Sequence, residues 1–224
     1  MKVDRVPPDE DTIPSVMRPR GSPESFKRAI ARYRPDVLRL LFIAEAPPAY
    51  RVNRLFYFHN IQSGDALFLE TMKVIYGAAI GFTEGEGFSK SLSAKDIRGR
   101  KSELLNRFVT DGYFLIDASE RPMPDGATTS AKLTLIRQSL PGLKIRVKEL
   151  LGGQDIPIVL IGGVTHEVCF GPLKEEGYQV INEEMINHPA RGGQLLFRKK
   201  LRDTLNRIGR AQTSSLAESG RVAC

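Results

Sequence analysis

The sequence predicts an α/β fold: a three-layer α-β-α sandwich around a central, mainly parallel four-stranded sheet. Two observations carry this. Short runs that are apolar at every position (Leu40-Leu41-Phe42-Ile43, Tyr113-Phe114-Leu115-Ile116 and Ile156 to Ile161) mark strands buried on both faces. Between them lie longer stretches in which apolar residues return at helical spacing, and strands alternating with helices build covered parallel sheets.

Taken in order, residues 1–22 hold Pro7, Pro8, Pro14 and Pro19 without an apolar period and predict an extended or mobile arm. Ser22 before Pro23-Glu24-Ser25 is a helix N-cap, and the helix is expected to run to the region of Tyr33. Arg39 to Ile43 forms the first strand, stopped by the rigid turn Ala46-Pro47-Pro48. Residues 64–79 and 101–109 predict helices on either side of a Gly- and Ser-containing loop over 81–93. Tyr113 to Ile116 is the second strand, ended by Asp117. Residues 129–140 and 142–151 are helical in pattern, with a break expected at Pro141-Gly142. Ile156 to Ile161 is the third strand, closed by Gly162-Gly163; Thr165 then starts a helix of about two turns. Tyr178 to Ile181 predicts a fourth, shorter strand. Over 193–208, Leu195, Leu196, Leu201, Leu205 and Ile208 recur at helical spacing opposite the basic residues. Residues 209–224 predict a flexible tail, so the domain is expected to span 23–208.

Composition bounds the function. With 224 residues, 41% hydrophobic and 26% charged, the chain has the profile of a soluble globular protein of one domain. No stretch approaches the ~20 apolar residues of a membrane span, and the charged, proline-rich start is unlike a signal peptide, so a cytoplasmic location is expected. Cys169 and Cys224 are too few for a four-cysteine zinc or iron–sulfur site, and His59 and His166 lack acidic or cysteine partners at metal-ligand spacing. No metal or cofactor is expected. The formal charge is +7, of which residues 187–210 carry +6, through Arg191, Arg198, Lys199, Lys200, Arg202, Arg207 and Arg210 against Asp203. Such a concentration suits a polyanion, although it also describes a solvated helix face.

In open parallel sheets ligands bind beyond the carboxyl ends of the strands. The first strand delivers Glu45 there, the second Asp117, the third Gly162-Gly163 with a helix start, and the fourth Asn187-His188-Pro189. One rim thus gathers two carboxylates, a histidine and an anion-friendly helix N-terminus.

Ile43-Ala44-Glu45-Ala46-Pro47-Pro48 after the first strand and Asn187-His188-Pro189-Ala190 after the last resemble the two signature motifs of the uracil-DNA glycosylase superfamily. The order fits over about 36–208, with the aromatic run Leu55-Phe56-Tyr57-Phe58 after the first motif and Asp117 between. The resemblance implies base excision repair: a damaged nucleotide is flipped out of DNA and its N-glycosidic bond hydrolysed by a metal-free, monofunctional glycosylase, expected to be a monomer. It implies that Glu45 orients water or offsets the cationic sugar, and that His188 donates to the departing base. Ala46, Phe56, Tyr57 and Asp117 would contact the base, one of the two rings by stacking. Pro47, Gly163, Thr165, Arg191, Gly192, Lys199 and Lys200 would contact DNA.

The chain departs from the pattern in three ways. The Glu-Ala-Pro form of the first motif resembles a branch carrying an iron–sulfur cluster, which two cysteines cannot hold. Asp117 stands where the family usually has Asn. An ionised carboxylate accepts only and suits an exocyclic amino group; alternatively Asp117 is protonated by burial, or never meets the base. After His188-Pro189 the chain has Ala190-Arg191-Gly192-Gly193 in place of an apolar wedge, which makes single-stranded or mispaired substrates more plausible. A catalytically silent nucleic-acid-binding member of the same fold is the alternative. An unrelated α/β hydrolase built on His188 lacks the Gly-x-Ser-x-Gly elbow.

Overall fold

The computed structural model describes residues 22–50, 54–59, 61, 63–84, 92–190 and 192–219, with side chains through 208. Arg191 and almost all of the N-terminal arm lie outside the described residues. Strand β1 (Leu40–Ala44) is buried at all five positions because it is central: β2 (Tyr113–Asp117) and β3 (Ile158–Leu160) pair with it on either edge, both parallel. The register sets Leu40 opposite Tyr113 and Ala44 opposite Asp117 on one side, and Leu41 opposite Ile158 and Ile43 opposite Leu160 on the other.

Among the described residues the sheet has three strands, where the sequence predicts four. The segment expected as the fourth strand, Tyr178 to Ile181, makes one isolated parallel bridge, Val180 to Ile158, and Ile186 beyond it makes another to Ile161. The reason is Asn182, buried between them. Its Oδ1 accepts from Leu160 N at 2.9 Å and its Nδ2 donates to Leu160 O at 3.0 Å, so a side-chain amide takes the place of the next strand's backbone. On the other edge, the Tyr57 hydroxyl donates to Leu115 O at 2.9 Å and accepts from Leu115 N at 2.8 Å.

The helices are α1 (Pro23–Arg32), α2 (Ala66–Ile80), α3 (Ala94–Gly99), α4 (Lys101–Thr110), α5 (Thr129–Leu151), α6 (Gly163–Glu175) and α7 (Gln194–Ser219). α5 packs on α6, and α2 packs on α7 and α3. Ser22 caps α1 in a reciprocal box with Ser25, as expected. Ser93 and Asp96 form the same device at α3, a helix that the sequence pattern did not suggest. Pro141 does not break α5. Pro141 and Gly142 are exposed, so the missing N–H faces solvent, while Ile136, Leu143, Val147 and Leu151 keep one buried face. α6 is also longer than the two turns predicted from Thr165: it begins at Gly163 and runs for 13 residues. No helix among the described residues is long and apolar enough to cross a membrane.

The inward face of α7 matches the predicted one in part, with Leu201 buried and Leu205 and Ile208 packed against the core, and the helix continues past residue 208. Leu195 and Leu196 are exposed, whereas Phe197, Arg198, Leu201 and Thr204 are buried. Arg198 therefore belongs to the interior: it binds Glu70 of α2 through one terminal nitrogen and Glu84 through Nε at 2.9 Å, and Arg202 joins at Glu84. Removing one partner of a buried pair leaves an uncompensated charge. Arg198→Ala is accordingly expected to destabilise the fold by about 2–3 kcal/mol, read from urea unfolding.

Candidate functional site at the carboxyl ends of the strands

The parallel sheet sets the predicted residues in a row at one rim. Asp117 ends β2, Glu45 follows β1, Gly162-Gly163 follows β3, and Asn187-His188 follows the bridge at Ile186. Backbone hydrogen bonds continue the alignment past the strands: Ser119 N donates to Glu45 O at 3.0 Å, and Gly162 N to Ile186 O at 2.7 Å.

Glu45 and Asn187 both border the glycine pair. Gly162 has φ +106°, and a Cβ there would lie 2.6 Å from Glu45 Cγ and 2.8 Å from its Oε1. A Cβ on Gly163 would lie 3.2 Å from Met185 Sδ and 3.6 Å from Asn187 Oδ1. The Glu45 carboxylate is mostly buried and faces Lys132 Nζ of α5 at 3.8 Å. His188 keeps exposed surface, yet the surrounding protein strips water from its ring. That desolvation, reinforced by the charge of Lys132, pulls its pKa down to about 4 and leaves the imidazole neutral at physiological pH.

Asp117 behaves in the opposite sense. Burial raises its carboxyl to about 7, the Arg146 charge opposing this and the Glu45 charge adding to it. Arg146 does not bridge to that carboxyl. Its two terminal nitrogens donate to the main-chain oxygens of Asp117 at 3.0 Å and Ala118 at 2.8 Å.

Several expected contacts are overturned by burial. Phe56 and Tyr57 belong to the core: Tyr57 is locked to Leu115 and stacked on Tyr33 at 5.5 Å, and Phe56 packs on Phe68, so neither ring is open to a base. Phe58 of the same run is only half-buried, against Phe26. Thr165 is fully buried, with its hydroxyl away from any surface phosphate. Pro47 is buried as well, its carbonyl accepting from Met123 N, whereas Ala46 stays half-buried. Lys200 is committed to Met185 O at 3.0 Å and to Glu184, whereas Lys199 and Gly192 are exposed. Lys132 and Arg146 were not among the expected site residues, because a single cation on an amphipathic helix carries no motif.

Among the described residues no group of three or more His, Cys, Asp or Glu is placed to hold a metal ion. A cavity of about 380 Å³ lined by Arg34, Val37, Phe114, Leu150 and Ile156 lies at the amino ends of the strands, away from this rim. No protein-family model matches the chain, and no curated protein matches it.

Two outcomes follow from this geometry. Gly162→Ala adds a Cβ against Glu45 at a backbone angle that only glycine adopts easily, and is expected to destabilise the protein by about 2 kcal/mol in thermal unfolding. Asp117 is raised in the folded state from 3.8 to about 7, so its contribution is fully present below pH 3.8 and is lost as pH rises through 7. Asp117→Asn should therefore gain about 2 kcal/mol over the parent at pH 8 compared with pH 5, measured by urea unfolding at both.

Proposed function

We propose that the protein is a DNA glycosylase that hydrolyses the N-glycosidic bond of a deaminated or modified, uracil-type base flipped out of DNA, in base excision repair. The observation that carries this is that Glu45 and Asn187 both border Gly162-Gly163, with His188 next in the chain, at the carboxyl ends of a parallel sheet where ligands bind. The likeness of these two segments to the signature motifs of the uracil-DNA glycosylase superfamily supports the same reading. The covered sheet and its two helix groups are compatible with the three-layer sandwich, with the Val180–Ile186 segment standing in for a fourth strand.

Hydrolysis of a glycosidic bond builds positive charge on the sugar and negative charge on the base, so the site must meet both. Glu45 offsets the sugar charge or orients the water that attacks it. His188, neutral with one N–H, donates to the base oxygen where negative charge grows. Asp117 titrates near neutrality: protonated it donates to a ring carbonyl, and ionised it accepts from an exocyclic amino group. With Phe56 and Tyr57 in the core, Phe58 is the ring of that run left to stack on a base. Lys199 and the exposed loop glycine Gly192 would meet the DNA backbone, with Arg191.

The test is an excision assay on labelled single- and double-stranded oligonucleotides holding uracil, hypoxanthine, xanthine or hydroxymethyluracil, with alkali cleavage of abasic sites. Release of a base is expected, cut by about 100-fold or more in Glu45→Gln and in His188→Ala, with DNA affinity by fluorescence anisotropy within about twofold of the parent. Salt-sensitive binding without release from any substrate would replace this reading by the catalytically silent binder of the same fold.

A further inference from the structure

Lys132 sits in the first turn of α5, where the helix macrodipole disfavours a cation, and that turn holds no acidic residue to offset it. Helix stability alone would not select lysine there. What the position offers is the rim: Lys132 Nζ faces Glu45 Oε2 at 3.8 Å, and the same ammonium is the charged group acting on His188. Gly162 presses on Glu45 from the end of the neighbouring strand β3, so the carboxylate lies between a backbone that admits no Cβ and the lysine. We propose that Lys132 is a positioning residue of this site, a cation that anchors the Glu45 carboxylate at the rim to which His188 is also delivered. This rests on the glycosylase reading.

Among the described residues, the other charges of this rim are engaged elsewhere. Glu45 pairs with Lys132 itself, and Asp117 lies beyond Glu45 at the end of β2. On the histidine's own segment, Glu183 pairs with Lys174 of α6 and Glu184 with Lys200 of α7. On α6, His166 bonds to Asn182 O.

The test compares Lys132→Met and Lys132→Arg in the full chain. Of the three histidines, His188 is assigned in the NMR spectrum by His188→Gln, and its imidazole is titrated. In Lys132→Met the His188 pKa is expected to rise from about 4 by about one unit, while Lys132→Arg holds it near the parent value. Excision kcat should fall by about tenfold in Lys132→Met with DNA affinity within about twofold, Lys132→Arg recovering most of the loss. An unmoved His188 titration, or a Lys132→Met protein with parental kcat, overturns the proposal. If the parent excises nothing, the glycosylase reading falls by itself, and the titration still decides whether Lys132 governs His188.

Discussion

Leu40 to Ala44 are buried at every position, which a strand achieves only when other strands flank both edges and helices cover both faces. That burial fixes the rest. Because both neighbours run parallel to β1, all three strands end at the same side of the sheet, and the residue after each one is delivered to a common rim. Short strands of three to five residues leave little room for divergence before their ends. Glu45, Asp117 and Gly162 are therefore neighbours although they lie far apart in sequence. The bridge at Ile186 brings Asn187 and His188 to the same place.

The rim handles charge by pushing its titrating groups in opposite directions. Asp117 is driven toward its neutral form and His188 is held in its own, while Glu45 pairs with Lys132. Arg146 takes part from behind, tied to main-chain oxygens, so it tempers Asp117 without pairing with it. Outside this balanced interior, the positive surplus of 187–210 is divided by packing. Arg198 turns inward and links α2 to α7, Lys200 ties α7 to the segment before His188, and Lys199 remains at the surface.

What was legible in the sequence is what depends on local chemistry. Continuous apolar runs located all three strands to within a residue or two, and Ser22 announced its helix because a cap needs only its own turn. The misses share a different cause, namely a partner distant in sequence. Pro141 looks like a breaker until its missing donor is found to face water. Tyr178–Ile181 looks like a strand until Asn182 takes up the ladder of Leu160. Leu195 and Leu196 fit the same apolar stripe as Leu201, but it is Phe197 that joins Leu201 in the core. At the rim, Glu45, Asp117 and His188 could be placed from strand ends alone, whereas Lys132 became visible only through the carboxylate that it faces.

The two edges of the sheet are finished in the same way. At Leu160 an amide side chain, and at Leu115 a phenol, each fills the donor and the acceptor that a further strand would have used. Unpaired edges are where sheets recruit strands from other molecules and grow into fibres. With so few strands, this sheet has edges that make up most of it. Tyr57 and Asn182 act as plugs, and they protect a chain whose central run, from Leu40 to Ala44, is itself the kind of segment that aggregates when left uncovered.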